Sequence, residues 1–432
     1  MSTFLPSPLS QRSIDLENQF GTHNYHPLPV VLDQGLGAKV WDVDGKEYFD
    51  FLSAYSAVNQ GHSHPKILKA LTEQASKLTL TSRAFYNSNL GDFSKFLTEY
   101  FQFDRMLPMN SGAEAVETAI KVCRKWAYQK KNIPENQAII VVCSQNFHGR
   151  TTTIVGFSTD PDSTRDFGPF TPGFQIIPYN DLPALEEALK NPYVAGFLFE
   201  PIQGEAGVMV PDAGYLEKVR ELCTKAGVLM MADEVQTGIA RTGQLLATCA
   251  GCSCSTRCER KYAAKPDLLI LGKALSGGIM PVSAVLASHE ILLCIHPGEH
   301  GSTFGGNPLA CAVATSALNV VEDEELAQKA KERGVYFRQR MEKLMSDFPK
   351  LFSLVRGKGL LNAVVIRDEE SSKTAWNFCV MMMQNGVLAK PTHGNIIRFA
   401  PPLVISEVEM AQACDIIEKT TQEFVQAYPQ FQ

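Results

Sequence analysis

The sequence lacks the features of a membrane protein or of a nucleic-acid-binding protein. None of its apolar runs approaches the roughly 20 residues that a transmembrane helix needs. Basic residues are not in excess, because the net charge is −6 at pH 7, so no basic surface for nucleic acid is expected. Hydrophobic residues make up 45% of the chain and charged residues 20%, as in an ordinary globular enzyme. We therefore expect no membrane partner and no nucleic-acid partner.

Two kinds of short motif are missing as well. The sequence contains neither a Walker loop nor a G-x-G-x-x-G stretch, which disfavours nucleotide enzymes of those kinds. Its first twenty residues contain one Arg, two Pro and two acidic residues, which fits neither a secretory signal nor an Arg-rich transit peptide. The sequence therefore predicts a cytosolic location.

Paired Cys-x2-Cys knuckles are also absent, although the chain has 11 cysteines. Seven of them lie singly in apolar contexts and are expected to be small core residues in a reducing compartment. The other four form one cluster, Cys249, Cys252, Cys254 and Cys258. These thiolates could hold zinc or respond to oxidation. An inert exposed insert is favoured over both, because one short loop can seldom wrap four ligands around an ion.

The middle of the chain alternates apolar runs with amphipathic segments. Strands are predicted at 138–142, 195–199, 228–232, 268–272 and 282–287. Uninterrupted apolar strands that alternate with helices imply a mainly parallel sheet covered on both faces. Near the start, Asp44-Gly45 between two short strands predicts a hairpin with a two-residue loop. After about residue 318, a long charged helix from about Asp323 to Met345 and further strands predict a smaller α+β domain.

At 432 residues, the chain is long enough for more than one domain. The expected division is an N-terminal segment 1–58 with the hairpin, a large domain 59–318, and a C-terminal domain 319–432. The N-terminal segment is expected to join the C-terminal domain. The cysteine cluster falls in an insert at about 248–264 of the large domain.

Two charged residues stand at the ends of buried strands. Lys273 follows the apolar run 268–272, and Asp233 ends the run that starts at residue 228. Open α/β sheets bind their ligands at the carboxyl ends of the strands. Pyridoxal 5′-phosphate (PLP) chemistry requires this pair, a lysine for the covalent link and a carboxylate for the pyridinium nitrogen. Either residue alone could simply cap a helix or form an ion pair, so the interpretation depends on the surrounding motifs.

Two glycine-containing turns are able to bind a phosphate group. Ser111, Gly112 and Ala113 begin an amphipathic helix, and a capping box of Ser111 with Glu114 leaves other backbone N–H groups free for an anion. Residues 301–307 form a glycine-flanked cluster that contains two hydroxyl groups. Each turn could also be purely structural, so neither is specific alone.

Side chains suited to an aromatic ring and to carboxylates follow other strands. Phe147 and Arg150 come after the strand at 138–142, and such residues can stack on a ring and hold a carboxylate. Glu200 and Glu205 follow the next strand, so two more carboxylates are expected at the same edge of the sheet. Arg398 is a single charge in an apolar strand, which must be paired or face a ligand.

Together, the motifs resemble one enzyme family. From about residue 15 to residue 419 the chain resembles the class III (subgroup II) PLP-dependent aminotransferases of fold type I, and among them those that act on ornithine. The resemblance is carried by HNYHPLPVV from residue 23, LPMNSGAEAVETAIK from 107, EPIQGEAGV from 200, ADEVQTGIARTG from 232 and LGKALSGG from 271. It implies an α/β fold, with a large domain whose mainly parallel sheet is covered by helices and a smaller α+β domain.

The resemblance implies PLP as the cofactor and no metal site. Lys273 would hold PLP covalently and move the catalytic proton, and Asp233 would pair with the pyridine nitrogen. The other implied cofactor-binding residues are Ser111, Gly112, Ala113, Phe147, His148, Val235, Gln236, Ser302 and Thr303. Ser302 and Thr303 would reach the phosphate bound to a neighbouring subunit, so a homodimer is the expected minimal active unit.

The resemblance also implies the reaction. The δ-amino group of L-ornithine would move to 2-oxoglutarate, giving glutamate and glutamate 5-semialdehyde, which cyclises to a pyrroline carboxylate. The implied substrate-binding residues are Tyr25, Tyr55, Arg150, Glu200, Glu205 and Arg398. Tyr25 and Arg150 would hold the α-carboxylate of ornithine, and Tyr55 would turn its α-amine away from the cofactor. Glu205 and Arg398 would form a gate that releases Arg398 to bind the acceptor carboxylate.

Two kinds of alternative remain. Enzymes that act on N-acetylornithine or 4-aminobutyrate would share Lys273 and Asp233, although Tyr25 and Tyr55 favour free ornithine. A catalytically silent binding relative should have lost at least one of the implied residues, yet Lys273, Asp233, Gln236 and Arg150 are present. The segment 248–264 is longer than is usual in the family, so the resemblance gives the cysteine cluster no role.

Overall fold

Apolar stretches of the sequence form strands, and amphipathic stretches form the helices that cover them. The computed structural model describes residues 6–249 and 264–432. Its strands are β1 Leu32–Leu36, β2 Lys39–Asp42, β3 Glu47–Asp50, β4 Arg105–Met109, β5 Ile139–Cys143, β6 Phe174–Ile177, β7 Val194–Phe199, β8 Leu229–Asp233, β9 Leu268–Leu271, β10 Ser283–Ala287, β11 Phe352–Lys358, β12 Leu361–Ile366, β13 Val387–Leu388, β14 Lys390–Thr392 and β15 Ile396–Phe399. Its helices are α1 Pro8–Phe20, α2 Ser53–Ser56, α3 Pro65–Ala75, α4 Ser88–Phe101, α5 Gly112–Gln129, α6 Thr152–Val155, α7 Pro161–Thr164, α8 Leu182–Ala188, α9 Tyr215–Ala226, α10 His289–Leu292, α11 Pro308–Asp323, α12 Leu326–Asp347, α13 Thr374–Asn385 and α14 Glu407–Ala427.

The central sheet is mainly parallel, as the sequence predicts. Within the described residues it has seven strands in the order β4-β10-β9-β8-β7-β5-β6. The strands from β9 to β6 run parallel to one another, whereas β10 is antiparallel to both β9 and β4. Because β5, β7, β8 and β9 end at the same edge, the polar residues that follow them meet there.

Helices cover both faces of this sheet. Along β5, Ile140 and Val142 lie in one apolar cluster together with Ala119 of α5, whereas Val141 lies in a second cluster with Val219 of α9. This alternation follows from the two-residue period of a strand, which directs neighbouring side chains to opposite faces. The sheet therefore has two buried faces, which explains why its strands are almost entirely apolar.

Two smaller sheets flank the central one. The strands β11, β12, β15 and β14 form an antiparallel sheet in that order, with α12 against β11. The N-terminal strands β1, β2 and β3 form another sheet, and β13 from the C-terminal part joins it in parallel beside β3. The N-terminal hairpin thus contacts the C-terminal region, while the division at 58 and 318 stays a prediction.

The N-terminal hairpin has a longer loop than predicted. Asp42 N donates to Lys46 O over 3.1 Å, which closes a loop of three residues rather than the expected two. Gly45 lies at φ +80°, and a type I turn followed by a residue in this left-handed region gives a three-residue loop. Asp42 Oδ1 also accepts hydrogen bonds from Asp44 N and Lys46 N, which holds the loop in this form.

Other boundaries also differ from the prediction. The predicted charged helix begins at Leu326 rather than Asp323, because Glu325 at φ +51° separates α11 from α12. Strands β4 and β6 were not predicted. Pro108 lies within β4, and proline usually argues against a strand except at a sheet edge, which is where β4 lies.

The cysteines are mostly core residues. All eight cysteines in the part of the chain that the structure describes are buried. Cys249 is one of them, so the expectation of an exposed position is wrong for this residue, which packs beside Leu245 and Leu246. Cys252, Cys254 and Cys258 lie outside the described residues.

Neither a metal cluster nor a membrane helix is found in the described parts of the chain. Among residues 6–249 and 264–432, no group of three His, Cys, Asp or Glu side chains could hold a metal ion. Over the same ranges, no helix is long and apolar enough to cross a membrane.

Candidate active site

A cavity of about 180 Å³ opens at the carboxyl ends of the parallel strands. Its lining residues are Gly112, Ala113, Phe147, His148, Gly149, Glu200, Ile202, Glu205, Asp233, Val235, Gln236, Thr237 and Lys273. They come from the loops after β5, β7, β8 and β9 and from the start of α5. The fold therefore brings these five segments, each with a predicted motif, together in one place.

Lys273 stands at the cavity wall directly after β9. Its backbone lies at φ +44°, in the left-handed region that residues with a Cβ rarely adopt. Burial lowers the pKa of its amine, and the nearby carboxylates of Glu205 and Asp233 oppose that shift without cancelling it. Within the described residues, the amine has no hydrogen-bond partner. A lysine with a lowered pKa is more readily neutral and therefore suited to form a covalent bond or to accept a proton.

Asp233 is a buried carboxylate held in a fixed orientation. Its Oδ2 lies 2.7 Å from His148 Nδ1, and its Oδ1 accepts a hydrogen bond from Val235 N over 3.0 Å. Burial alone would lower the pKa of His148, but the hydrogen bond to Asp233 and the charges of Asp233 and Glu200 outweigh it and raise that pKa. The pair therefore places a stabilised negative charge at the cavity wall beside a histidine.

Glu200 also lines the cavity, close enough to His148 and Asp233 for their charges to act on it. Its Oε1 accepts a hydrogen bond from Phe147 N over 2.9 Å, so it anchors the loop that carries Phe147 and His148. Burial raises the pKa of Glu200 to about 7, with the neighbouring charge of His148 acting in the opposite direction. Glu200 is therefore adjacent to Phe147 and His148, which are predicted to bind the cofactor.

Glu205 and Arg398 form an ion pair on another wall. Arg398 Nη1 donates to Glu205 Oε1 over 2.5 Å, and Gln236 Nε2 donates to the same oxygen over 3.0 Å. Burial would raise the pKa of Glu205, but the charge and hydrogen bond of Arg398 lower it overall. Arg398 is only 4% exposed, so Glu205 supplies the partner that a buried guanidinium needs.

Tyr55 packs against this ion pair. The Arg398 guanidinium lies 4.9 Å from the centre of the Tyr55 ring, within the range of a cation–π contact. Burial raises the pKa of Tyr55, and the charges of Arg398, Glu205, Tyr25 and Arg150 also act on it. These predicted substrate-binding residues therefore lie close enough to Tyr55 for their charges to act on it. Tyr25 and Arg150 themselves are exposed.

The start of α5 is open to an anion. Ser111 Oγ accepts a hydrogen bond from Glu114 N, and Glu114 Oε2 accepts one from Ser111 N, so the predicted capping box is confirmed. Gly112 and Ala113 line the cavity, and their N–H groups belong to the first turn, which has no partner inside a helix. A Cβ at Gly112 would lie 2.9 Å from Val235 Cγ1. Only glycine therefore lets the helix start this close to Val235.

Ser302 and Thr303 do not line the cavity of the same chain. Ser302 Oγ instead accepts hydrogen bonds from Asn110 Nδ2 over 2.8 Å and from Gly305 N over 3.1 Å. The hydrogen bond from Asn110 connects residues 301–307 to the segment that precedes α5. A contact of Ser302 and Thr303 with the phosphate of another subunit stays a prediction.

Sequence reasoning missed several residues of the site. Ile202 and Thr237 line the cavity, but nothing in their type or spacing marks them. Gly204 is needed because a Cβ there would lie 1.4 Å from Gln236 Oε1. Arg241 is fully buried behind the site and donates to Asn59, to Leu360 O and to Pro401 O. Arg241 lies in the ADEVQTGIARTG segment that starts at residue 232, but nothing in that segment marks it as buried.

The residues of the cavity fit PLP. The amine of Lys273 is free for a covalent link, and Asp233 can accept a hydrogen bond from a protonated ring nitrogen. Gln236 Oε1 is buried and has no partner among the described residues, so it is available to a polar group of a ligand. The first turn of α5 offers N–H groups and a positive dipole end to a phosphate. The cavity thus supplies a partner for each functional part of the cofactor.

Comparisons with known proteins agree with this site. Residues 20–421 match the protein family described as Aminotransferase class-III. A protein named ornithine aminotransferase, mitochondrial, from Drosophila melanogaster is 58% identical over 404 residues, which cover 94% of this chain and 90% of that protein. One of the same name from Rattus norvegicus is 55% identical over 417 residues, which cover 96% of this chain and 92% of the rat protein.

Two solved structures are also similar over nearly their whole length. The crystal structure of acetylornithine aminotransferase from Elizabethkingia anophelis is 61% identical, with a TM-score of 0.87, and the match covers 96% of this chain and 99% of that one. The ornithine aminotransferase from Toxoplasma gondii ME49 is 45% identical, with a TM-score of 0.91, and the match covers 98% and 97%. With the family match, these similarities show that the chain belongs to the class III aminotransferases.

Proposed function

We propose that this enzyme transfers the δ-amino group of L-ornithine to 2-oxoglutarate, giving glutamate and glutamate 5-semialdehyde. The chain is a PLP-dependent transaminase by family, and relatives at 55–58% identity carry the name ornithine aminotransferase. The observation that carries the proposal is the Glu205–Arg398 ion pair, packed against Tyr55 at the cavity that contains Lys273. Such an arrangement can serve a diamine and a dicarboxylate in turn.

Lys273 and Asp233 support the part of the reaction that both substrates share. PLP supplies an electron sink when it is bound. Lys273 would hold it and, once displaced by the substrate amine, would move a proton from the δ-carbon of ornithine. The lowered pKa of Lys273 suits that role as a base. Asp233 would keep the ring nitrogen protonated, and its bond to His148 fixes the carboxylate in place.

Tyr25, Arg150 and Tyr55 support selection of the δ-amine. An arginine can hold a carboxylate through two hydrogen bonds, and Arg150 lies near Phe147, with 5.8 Å between the guanidinium and the ring centre. With Tyr25, Arg150 would hold the α-carboxylate of ornithine at the cavity mouth. Tyr55 would keep the adjacent α-amine away from Lys273. The δ-amine is then the one that reaches the reactive centre.

Glu205 and Arg398 support the use of 2-oxoglutarate in the second half-reaction. While the two are paired, the positive charge of Arg398 is neutralised and does not repel a cationic diamine. When Glu205 turns away, Arg398 becomes available to a second carboxylate, which 2-oxoglutarate has and ornithine lacks. One pocket can therefore accept both substrates.

The proposal also includes the oligomeric state of the enzyme and its cellular location. A homodimer is proposed because Ser302 and Thr303 do not line the cavity of their own chain, which fits a contact with another subunit. A cytosolic location remains a prediction of the sequence, while the Drosophila and rat relatives carry mitochondrial in their names.

Acetylornithine is the second candidate donor, because the similar Elizabethkingia structure carries that name. The two substrates differ at the α-nitrogen, which is a charged amine in ornithine and a neutral amide in N-acetylornithine. Tyr55 would act on the charged amine only. We expect kcat/KM for L-ornithine to exceed kcat/KM for N-acetylornithine and for 4-aminobutyrate by about tenfold or more. Steady-state assays with 2-oxoglutarate as acceptor measure all three values. A larger kcat/KM for N-acetylornithine would show that N-acetylornithine, rather than ornithine, is the preferred donor.

The gate makes a prediction of its own. Arg398→Ala should slow the 2-oxoglutarate half-reaction by about 10- to 100-fold, since it removes charged hydrogen bonds to a carboxylate, and should leave the ornithine half-reaction largely intact. Glu205→Ala should act in the opposite sense and favour glutamate over ornithine as donor. Single-turnover measurements of each half-reaction separate these effects.

Two conservative variants serve as controls for the gate. Glu205→Gln keeps the acceptor oxygen for Gln236 and Arg398 but loses the charge, so it should fall between the wild type and Glu205→Ala. Arg398→Lys keeps the charge but not the paired hydrogen bonds, so it should retain part of the 2-oxoglutarate reaction. Equal losses in both half-reactions for Arg398→Ala would rule out the gate.

A further inference from the structure

The turn that carries Tyr55 has an unusual backbone. Ser53, Ala54, Tyr55 and Ser56 lie at φ +50°, +46°, +60° and +70°, and ψ is +48° at Ala54 and +44° at Tyr55. These four residues, which we call the Tyr55 turn, form one turn of left-handed helix. L-residues avoid this conformation because the Cβ comes too close to the next carbonyl oxygen, and those that visit it do so singly. Four in succession without a glycine is therefore a strained arrangement.

Asp50 holds the Tyr55 turn at its N-terminal end. Its Oδ1 accepts hydrogen bonds from Leu52 N over 2.8 Å and from Ser53 N over 2.9 Å. Its Oδ2 lies 2.8 Å from His62 Nε2, and Asp50 itself is 8% exposed at the end of β3. One buried carboxylate thus fixes both N–H groups that lead into the turn.

The C-terminal end of the Tyr55 turn is fixed as well. Ala57 N and Val58 N both donate to Ser53 O, over 2.9 and 3.1 Å. Asn59 then donates to Ile239 O and accepts hydrogen bonds from the buried Arg241. Because both ends are held by buried groups, the surrounding structure can keep the turn in its strained form.

The strained turn determines where Tyr55 lies. Its ring packs 4.9 Å from the Arg398 guanidinium, and its hydroxyl has no hydrogen-bond partner among the described residues. The backbone therefore positions this side chain, while no hydrogen bond of its own does so. The hydroxyl of Tyr55, whose ring lies against the Glu205–Arg398 pair, is available to the α-amine of a donor.

We propose that the Tyr55 turn, capped by Asp50, is the device that sets which amine of the donor reacts, with Asp50 as a positioning residue. This inference rests on the proposed function, in which Tyr55 directs the δ-amine of ornithine toward Lys273. A relaxed turn would let Tyr55 move and would weaken the discrimination without removing any group that contacts the substrate.

Ala54→Gly tests the turn with little other change. Ala54 is exposed, and glycine adopts positive φ without strain. Ala57→Gly is the matched control, since Ala57 lies at φ −83°, where glycine only adds flexibility to the unfolded chain. The readouts are Tm and the ratio of kcat/KM for ornithine to that for 4-aminobutyrate. Tyr55→Ile gives the ratio expected when the side chain is absent.

We expect Asp50→Ala to lower the ornithine ratio by about 5- to 10-fold toward the value of Tyr55→Ile, because Leu52 N and Ser53 N lose their acceptor. Ala54→Gly should keep the wild-type ratio and raise the Tm, because glycine relieves the strain without changing the form of the turn. Ala57→Gly should keep the wild-type ratio and lower the Tm. Asp50→Asn should also keep the wild-type ratio, because its amide oxygen can still accept from Leu52 N and Ser53 N. If Asp50→Ala does not fold, Asp50→Glu is measured in its place, because the longer side chain moves the carboxylate away from Leu52 N and Ser53 N.

A wild-type ratio in the Asp50 variant that lacks the cap, together with a changed ratio in Tyr55→Ile, would overturn the inference and leave the proposed function standing. Failure of the wild type to use ornithine would instead overturn the proposed function, and the inference with it.

Discussion

Replacement of Lys273 by alanine is expected to give the largest loss of activity in this enzyme. The change removes both the covalent attachment point of PLP and the base that moves the proton, and a positioned acid–base group alone contributes roughly 10²- to 10⁴-fold to a rate. Turnover should therefore fall by at least that factor. Single-turnover assays with saturating PLP measure the loss, so that weaker cofactor binding does not contribute.

A second measurement ties the loss to Lys273 itself. Borohydride reduction should leave one cofactor covalently bound per chain in the wild type and none in Lys273→Ala, as read by mass spectrometry after denaturation. Lys218→Ala is the matched control, because Lys218 lies on the exposed side of α9 in a surface ion pair with Glu221. Covalent cofactor on the Lys273→Ala chain would show that another lysine carries it.

Replacement of Asp233 by asparagine is expected to give the second largest loss. The substitution keeps the size of the side chain and an oxygen that can accept from Val235 N, but it removes the negative charge beside the ring nitrogen. Removal of one preorganised electrostatic group of this kind costs about 10²- to 10³-fold in rate. The expected result is a fall of that size in the rate of the first half-reaction at saturating PLP.

The pKa of the neighbouring His148 reports on the charge of Asp233. The pKa of His148 is raised by its hydrogen bond to Asp233, so Asp233→Asn should lower that pKa, which NMR titration of the histidine can follow. Asp212→Asn is the control, since Asp212 is an exposed carboxylate before α9. Full activity of Asp233→Asn would contradict the assigned role.

The sequence predicts more of the chemistry of the site than of its geometry. Lys273 and Asp233 were predictable because a charged residue directly after a buried strand lies at the sheet edge where ligands bind. Glu205 was expected at the same edge because it follows a buried strand, whereas Gln236 came from the family resemblance. The structure adds that the two side chains bond to one another. That bond depends on the missing Cβ of Gly204, a condition that the sequence pattern does not reveal.

Features that depend on distant parts of the chain could not be predicted. The left-handed turn at Tyr55 has no glycine and no local signal, because Asp50 and the buried Arg241–Asn59 contact hold it from outside. Similarly, β4 contains a proline that local rules place outside a strand, and only its edge position in the sheet makes it acceptable. The buried position of Cys249 depends on packing against Leu245 and Leu246.

The most direct test of the proposed function follows the nitrogen atom that is transferred. The enzyme with PLP would be given L-ornithine labelled with ¹⁵N at either the δ-amine or the α-amine, with 2-oxoglutarate as acceptor, and the glutamate formed would be analysed by mass spectrometry. We expect the label in glutamate from δ-labelled ornithine and not from α-labelled ornithine. Label transferred from the α-amine, or no glutamate from ornithine at all, would contradict the account.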